Sequence, residues 1–370
     1  MPAAAGTGCP VHSGGGGGGG GNGTCSSTLT PNEVLFSISS TPGIQTLAIS
    51  TGANPLALMC TTAATAGVEV AVSQNKFVYV LDGTTKKISG YVIGHVHPVT
   101  LTPIIGQPFS IPAIFSSFFE MRTEPLGRFL FVTDSGPGKV HVFLIDQSTG
   151  ALSEALNSPV RVPAALFTAV TPSGTFVYVN DPNDGEIFIF KIDAGGQMTP
   201  TTNSPFLVPS HLTADSPIDM AMHPSGKFLF TSNFLSIASY VIDQTTGDLT
   251  NAPGSPSSTT GTAPTPVQPQ LLGIDGTGVF LYVTGRSGQG VLGYSIDQIS
   301  GTLTIISNNS FAATTNAFEI VADPAGGQMF LEISGAINAF PIDPISGSLL
   351  TPVGASQFST ISNMAVANVQ

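Results

Sequence analysis

Phe176-Val177-Tyr178-Val179-Asn180-Asp181 is the clearest copy of an apolar run that recurs along the chain. Further copies begin at Phe77, Phe129, Phe228, Phe280 and Met329, and a weaker copy begins at Val34. A period of roughly 50 residues is typical of an architecture built from repeated structural units. Seven copies therefore predict seven units.

Turn signals flank each apolar run. Pro172-Ser173-Gly174 precedes the clearest copy, and similar triplets precede most of the others. Proline presets the first dihedral angle of a tight turn and glycine supplies a positive φ, so each triplet joins two strands. A third strand then ends in Ile-Asp, and in most units a glycine follows four residues later, which is hairpin chemistry. The aspartates of these pairs are Asp146, Asp193, Asp243, Asp297 and Asp343.

Each unit therefore contains four short antiparallel strands, which is typical of a propeller blade. The chain begins with a second-strand pattern at Val34, whereas residues 363–367 near its end have the pattern of a first strand. The sequence predicts an all-β, seven-bladed β-propeller of four-stranded antiparallel blades over residues 28–370. Its first blade is closed by the C-terminal strand, which removes a free sheet edge.

Composition excludes two classes of protein. The net charge is −12 and the chain has only 10 Lys plus Arg, so it lacks the clustered basic residues that bind nucleic acid. No apolar run approaches the roughly 18 residues that a membrane helix needs, so we expect no transmembrane segment.

The first 27 residues form a glycine-rich segment that buries nothing, with eight consecutive glycines from Gly14 to Gly21. We expect residues 1–27 to be a flexible tail or tether. Gly6-Thr7-Gly8-Cys9 resembles the end of a bacterial lipoprotein signal, which makes Cys9 a candidate for lipid modification. We accordingly expect an extracellular or cell-surface protein that binds a surface protein or glycan, or forms a homo-oligomer or homopolymer through its tail.

The repeated residues resemble the YVTN β-propeller repeat over about residues 28 to 370. This repeat is found in bacterial and archaeal surface proteins and in the lactonase family that includes a 6-phosphogluconolactonase. The turn His223-Pro224-Ser225-Gly226-Lys227-Phe228 is similar to the lactonase turn. The enzymes of that family carry Pro-Arg-His before the turn and Asn-Glu after the strand. The matching positions here are Pro217-Ile218-Asp219 and Asn233-Phe234, so Arg, His and Glu are all replaced.

The start of the innermost strand of each blade surrounds the axis of a propeller. Aligning the blades on their turns places these residues there: Val68, Glu120, Phe167, Asp219, Leu271, Glu319 and Asn363. Carboxylates gathered without enough basic partners attract a cation, so Glu120, Asp219 and Glu319 are candidate ligands for Ca²⁺. With Asn363 and Arg122 they also form a candidate binding site for a small polar ligand. The alternative, which we favour because the alignment of any blade can slip by one residue, is that these side chains are solvated in a water-filled tunnel.

Two functions follow from these observations. The first is an exported or cell-surface propeller that acts as a binding or structural scaffold. The alternative is a hydrolase of sugar lactones, in which Asp219 or Glu120 replaces the usual base. Because the Arg, His and Glu of the enzymes are missing, the sequence favours the scaffold and assigns no catalytic residue.

Overall fold

The computed structural model describes residues 29–39, 43–50, 56–64, 67–112, 120–209, 215–257, 259, 267–286, 289–306, 317–356 and 361–369. The predicted tail, with Cys9, lies outside these residues. In the described part of the chain 31 strands form seven antiparallel sheets. The same part contains no helix of the length and apolarity needed to cross a membrane.

The first four blades follow one another around the ring. Blade 1 contains β1 (Glu33–Ser39), β2 (Ile44–Ile49), β3 (Leu56–Thr62) and, from the end of the chain, β31 (Ile361–Asn368). Blade 2 contains β4 (Glu69–Ser73), β5 (Phe77–Asp82), β6 (Lys87–Ile93), β7 (Leu101–Pro103) and β8 (Phe109–Ser110). Blade 3 contains β9 (Glu120–Thr123), β10 (Phe129–Asp134), β11 (Lys139–Ile145), β12 (Leu152–Glu154) and β13 (Val160–Arg161). Blade 4 contains β14 (Thr168–Val170), β15 (Phe176–Asp181), β16 (Glu186–Ile192), β17 (Met198–Pro200) and β18 (Phe206–Leu207).

The last three blades have four strands each. Blade 5 contains β19 (Pro217–Met222), β20 (Phe228–Asn233), β21 (Ile237–Ile242) and β22 (Leu249–Asn251). Blade 6 contains β23 (Pro269–Ile274), β24 (Phe280–Gly285), β25 (Val291–Ile296) and β26 (Leu303–Ile305). Blade 7 contains β27 (Ala317–Ala322), β28 (Gln328–Ile333), β29 (Ala336–Pro341) and β30 (Val353–Ser356).

The predicted seven-bladed propeller is confirmed, including the closure of blade 1 by the C-terminal strand. β31 pairs antiparallel with β1, from Glu33 opposite Asn368 to Ser39 opposite Ile361. One detail differs from the prediction. Blades 2, 3 and 4 each carry a fifth strand of two residues. It pairs with the start of the third strand, whereas the short fourth strand pairs with the end of the third strand.

The core lies between the blades. Seven apolar clusters each join two consecutive blades, and the last of them joins blade 7 to blade 1. Each blade therefore packs on both of its faces, which explains why a second strand such as β15 is buried at every position. Burial on both faces removes the polar alternation that a half-exposed strand would show.

The predicted Asp turns are also confirmed. Asp146 Oδ1 accepts the backbone N–H groups of Ser148 at 3.0 Å and Thr149 at 2.8 Å. Asp243, Asp297 and Asp343 accept in the same way at their own hairpins. These aspartates hold turns, as their repetition predicts.

Candidate functional site

Seven equivalent positions ring the propeller axis where the innermost strands begin. Strand pairing places these residues there: Glu69, Glu120, Phe167, Asp219, Leu271, Glu319 and Asn363. We call this set the rim. The prediction of Val68 for blade 2 was wrong, since Glu69 pairs with Leu81 as Glu120 pairs with Thr133. The rim therefore carries four carboxyl groups rather than the three that were predicted.

A cavity of about 710 Å³ runs along the axis. Its lining includes Glu69 and all five residues that the sequence assigned to the site, Glu120, Arg122, Asp219, Glu319 and Asn363. It extends to the turns at the opposite ends of the innermost strands, at Pro125, Pro224 and Gly276. The sequence prediction that these side chains gather at the axis therefore agrees with the geometry.

Glu120 is held by its neighbours. Its side chain is buried, and one carboxylate oxygen accepts hydrogen bonds from the backbone N–H of Thr168 and from Thr168 Oγ1, the latter at 2.9 Å. The other oxygen lies 2.6 Å from Nη2 of Arg122, whose side chain is 39% exposed. Arg122 thus forms an ion pair with Glu120 and still faces the cavity.

Asp219 is fixed by backbone hydrogen bonds. Oδ1 accepts from the N–H of Met220 at 2.7 Å, and Oδ2 accepts from the N–H of Leu272 in the next blade at 2.8 Å. Asn363 repeats this link, because its Oδ1 accepts the N–H of Val70 in blade 2 at 3.1 Å. Rim side chains therefore connect neighbouring blades as well as facing the cavity.

Asn363 also contacts an acid of the preceding blade. Its Nδ2 donates to Glu319 Oε2 at 3.3 Å. Glu319 is half-buried. The amide of Asn363 can donate to Oε2 when the carboxyl group of Glu319 is ionised and also when it is protonated on Oε1.

Burial raises the pKa values of the carboxyl groups of the rim. It is the main cause that raises the pKa of Asp219 to about 7, where the Glu120 charge adds to it and Arg122 opposes it. Burial, followed by the charge of Asp219, raises the pKa of Glu319 to about 8. The pKa of Glu69 is raised well above its usual range by burial and then by Glu319 and Glu120. Burial raises the pKa of Glu120 as well, although Arg122 lowers it.

These shifts give the cavity acid–base chemistry at neutral pH. A carboxyl group with a pKa near 7 can take a proton from water, and one with a pKa near 8 can donate a proton. Arg122 is the cationic side chain among the described residues that line the cavity, and it can stabilise negative charge. Such groups, with their pKa values moved by burial, are characteristic of functional sites.

The other expectations for the rim have different outcomes. Glu120 and Asp219 are buried and hydrogen-bonded, unlike the freely solvated side chains of the alternative interpretation. Among the described residues, no three rim carboxylates bring oxygens within 4.8 Å of one another. Binding of Ca²⁺ by Glu120, Asp219 and Glu319 stays a prediction.

Fold and site together define a seven-bladed β-propeller with an acidic site on its central axis. The chain belongs to the lactonase family of seven-bladed β-propellers, whose family model matches residues 116–320, more than half of its length. Among curated proteins, no sequence matches the chain significantly.

Several solved structures share the fold of this chain. A periplasmic gluconolactonase from Pseudomonas aeruginosa aligns with a TM-score of 0.71 and 16% identity, over 91% of this chain and 99% of that one. A candidate 6-phosphogluconolactonase from Bacteroides fragilis aligns with a TM-score of 0.70 and 17% identity, over 92% of this chain and 99% of that one. Another from Bacteroides uniformis has a TM-score of 0.74 and 14% identity, over 91% and 100% of the two chains. At these identities the likeness shows the fold alone.

The preference for a binding or structural scaffold was wrong. The lactonase family match favours the alternative, a sugar-lactone hydrolase. Ile218, Asp219 and Phe234 stand where the enzymes of the family carry Arg, His and Glu. This difference led to the error, because those three positions were taken to hold all of the catalytic groups. Around the axis, the cavity is still lined by the four carboxyl groups of the rim and by an arginine on one of the innermost strands.

Proposed function

We propose that the protein hydrolyses a sugar lactone in the axial cavity. The observation that carries this proposal is the pair of rim acids with pKa values of about 7 for Asp219 and about 8 for Glu319, beside Arg122, in a chain of the lactonase family. A base, a positive group and an acid each accelerate the hydrolysis of a lactone, and these three residues offer one of each.

Asp219 acts as the general base. Its ionised form takes a proton from a water molecule, whose oxygen then attacks the lactone carbonyl carbon. Because both of its oxygens accept backbone hydrogen bonds, the carboxylate is held in one orientation without depending on a mobile side chain. A base positioned in this way contributes about 10² to 10⁴-fold to the rate.

Arg122 and Glu319 serve the other two requirements. The guanidinium group of Arg122 stabilises the negative charge that develops on the carbonyl oxygen, and Glu120 holds it in place through the ion pair of 2.6 Å. The ring C–O bond then breaks, and the protonated carboxyl group of Glu319 gives its proton to the departing ring oxygen. The product is the open-chain hydroxy acid.

The charges favour an uncharged substrate. Four rim acids and one arginine line the described part of the cavity, so the site carries too little positive charge to hold a phosphate dianion. We therefore propose an unphosphorylated aldonolactone, such as glucono-1,5-lactone, in preference to its 6-phosphate. The hydroxyl groups of such a sugar match the carboxyl and amide groups of the rim.

Proton release from glucono-1,5-lactone, measured against the spontaneous rate, tests the proposal. We expect the purified protein to accelerate hydrolysis at pH 7, to prefer this lactone to 6-phosphogluconolactone, and to lose about 100-fold or more in kcat on Asp219→Asn. The matched control is Asp297→Asn, which changes an exposed turn carboxyl group that is not among the residues lining the cavity. No acceleration by the wild-type protein, or equal activity of the Asp219→Asn variant, would reject the assignment.

We also propose that the protein is exported. Support comes from Cys60, which is buried and disulfide-bonded, since disulfides form and persist in oxidising compartments. The chain has two other cysteines, Cys9 and Cys25. Peptide mapping without reductant should find Cys60 linked to one of them, and a free Cys60 thiol in protein purified from its native source would contradict export.

A further inference from the structure

A second cavity lies away from the axis, between the outer strands of blades 4 and 5. Its volume is about 570 Å³, and none of the described residues that line it also lines the axial cavity. One wall is formed by β16, β17 and the turn after β17, and the other by the hairpin between β21 and β22. We call this cavity the outer groove. Its volume is within the range of about 300 to 1,000 Å³ that is usual for sites that bind small molecules.

Thr201 departs from the repeat at the wall of this groove. In blades 2 to 6, the residue that directly follows the fourth strand donates its backbone N–H to the third strand, so the five positions are equivalent. In the four other blades this residue is apolar and buried, namely Ile104, Ala155, Ala252 and Ile306. Blade 4 alone of these five places a hydroxyl group there.

Isoleucine at this position fills the space between two blades. Cδ1 of Ile104 lies 2.6 Å from the point that a Cβ on Gly150 of the next blade would occupy, and Cδ1 of Ile306 lies 2.7 Å from that of Gly347. A threonine side chain lacks the terminal carbon that makes this contact. Replacement of Thr201 by isoleucine is therefore a change that the fold already accepts in two other blades, and it would fill part of the groove.

Two polar atoms of the groove residues lack hydrogen bonds. Oγ1 of Thr201 is buried and has no partner within the described part of the chain. Across the groove, Oδ2 of Asp248 accepts from Nδ2 of Asn203 at 2.6 Å, whereas Oδ1 of Asp248 is buried and has no partner either. Buried polar atoms without partners are unfavourable. Because both residues line the groove and are only half-buried, a ligand that enters it can supply the missing hydrogen bonds.

The lining of the groove suits a neutral sugar. The buried side chains of Phe176 and Ile192 provide an apolar base, against which the C–H face of a pyranose ring can pack. Oδ1 of Asp248 accepts a hydrogen bond, and the hydroxyl group of Thr201 can donate or accept one. Two carboxylates and one lysine line the groove, so it lacks the clustered positive charge that an anionic ligand needs. The other polar side chains of the lining are uncharged: Gln197, Thr199, Thr202, Asn203, Thr245 and Thr246.

We propose that the outer groove binds a neutral pyranose unit of an oligosaccharide. A hydroxyl group of the sugar donates to Oδ1 of Asp248, and another forms a hydrogen bond with Oγ1 of Thr201. The bound sugar contacts both blades, since these two residues belong to blades 5 and 4 respectively. Binding here does not depend on lactone hydrolysis, because the groove and the axial cavity are lined by different residues.

Saturation-transfer NMR with maltose, cellobiose, lactose and diacetylchitobiose as probes tests this site. We expect at least one of these sugars to bind the wild-type protein, and Thr201→Ile to abolish its signal. The same variant should melt at or above the wild-type temperature and hydrolyse lactone at the wild-type rate, so loss of the sugar signal would not reflect unfolding. Asp248→Asn keeps an oxygen for Asn203 and should weaken binding about tenfold, because hydrogen bonds to an ionised carboxylate are the stronger kind.

Thr304→Ile is the matched control. It makes the same chemical change at an exposed position of β26 that lines neither cavity, and it should keep sugar binding. Glu319→Gln changes the axial cavity and should keep it as well. Loss of the signal in Glu319→Gln, with the signal retained in Thr201→Ile, would place the sugar on the axis and overturn the proposal. Binding of spermidine and of none of the sugars would assign the groove to cationic ligands, and no binding of any probe would also reject it.

Discussion

Glu319 occupies a rim position where its ionisation opposes folding. Its pKa is about 8 in the folded protein against an ordinary value of 4.5, mainly because of burial. Between these two values the unfolded chain has released the proton and the folded chain has kept it. The folded state therefore binds more protons, and stability falls as pH rises through this window.

We expect Glu319→Gln to raise the melting temperature at pH 8.5 and to have little effect at pH 4.5. At pH 4.5 the native carboxyl group is already protonated, and glutamine resembles that form. Calorimetry at the two pH values measures the difference. Asp297→Asn is the matched control, and its effect on stability should have the opposite sign. Hydrogen bonds from Ser300 lower the pKa of Asp297, so the ionised carboxylate stabilises the folded state above about pH 4 and Asp297→Asn removes that stabilisation. An equal effect of Glu319→Gln at both pH values would contradict the burial of this charge.

The same acids set the pH dependence of the proposed hydrolysis. Asp219 must be ionised to act as base, so activity should fall as pH drops below its pKa of about 7. Glu319 must be protonated to act as acid, so activity should fall as pH rises above about 8. We expect a bell-shaped profile of kcat/KM, corrected for spontaneous hydrolysis, with its maximum between these values, because kcat/KM reports the pKa values of the free enzyme. If Glu319→Gln removes only the fall in activity at alkaline pH, that fall is due to ionisation of Glu319. An unchanged profile would contradict the role of Glu319 as the acid.

Most of the rim residues could be predicted from the sequence, because a repeat fixes which residues are equivalent. Glu120, Asp219, Glu319 and Asn363 follow from the turn spacing, and the ion pair of Arg122 with Glu120 follows from their separation on one strand. Glu69 was missed because blade 2 has a different turn.

The turn of blade 2 is one residue shorter than the corresponding turns of blades 3 to 7. Its two central residues, Gln74 and Asn75, have φ values of 46° and 58°, and Lys76 N–H donates to Ser73 O at 2.9 Å. Such a two-residue hairpin replaces the Pro-x-Gly turn, so counting back by a fixed number of residues gives Val68. The burial and pKa values of the rim depend on how blades pack across the axis, and no local pattern encodes that packing.

At the scale of the strand and hairpin, a contact between blades recurs. Tyr178 on β15 donates its hydroxyl group to the carbonyl of Gly247, at the outer hairpin of blade 5, at 2.8 Å. Tyr79 and Tyr282 make the same bond to Gly150 and Gly347. Gly247 has a φ of +79°, and a Cβ at this position would lie 2.5 Å from the ring of Phe176. Glycine thus permits the hairpin of one blade to lie against the aromatic residues of the blade before it.

We expect Tyr178→Phe to lower the free energy of unfolding by about 1 to 3 kcal/mol, because the buried carbonyl of Gly247 loses its partner. Denaturant unfolding measures this change. Tyr79→Phe and Tyr282→Phe should have effects of the same sign, since they remove the equivalent bond. Val92→Ala, on a partly exposed strand position, is the control and should stay within about 0.5 kcal/mol of the wild-type protein. A neutral Tyr178→Phe would show that the hydroxyl group does not link the blades.

Hairpin turns are the elements that the sequence predicts best, because Asp, Pro and Gly act through the local backbone. The short fifth strands of blades 2, 3 and 4 were not predicted. β8, β13 and β18 contain two residues each and exist because they pair with the first residues of a third strand, which the fourth strand leaves unpaired. Two residues are too few to form a periodic pattern, so only the tertiary pairing reveals them.

At the scale of the whole molecule, ring closure and the site depend on the same strand. β31 supplies the innermost strand of blade 1 and brings Asn363 to the rim, where it bonds to Glu319 and to the backbone of Val70. These two contacts join blade 7, blade 1 and blade 2. The last residues of the chain therefore complete both the propeller and the cavity.

Deletion of residues 361–370 should consequently abolish the cooperative unfolding transition, because β1 loses its partner and two apolar clusters lose residues of β31. A peptide of residues 361–369 added in excess should restore the transition, because it can pair with β1 and pack between the blades without a covalent link to the chain. Asn363→Ala is the matched control, since it keeps the strand and removes only the rim amide. We expect this variant to unfold cooperatively and to hydrolyse lactone more slowly. A truncated chain that melts at the wild-type temperature would show that the propeller is closed without β31.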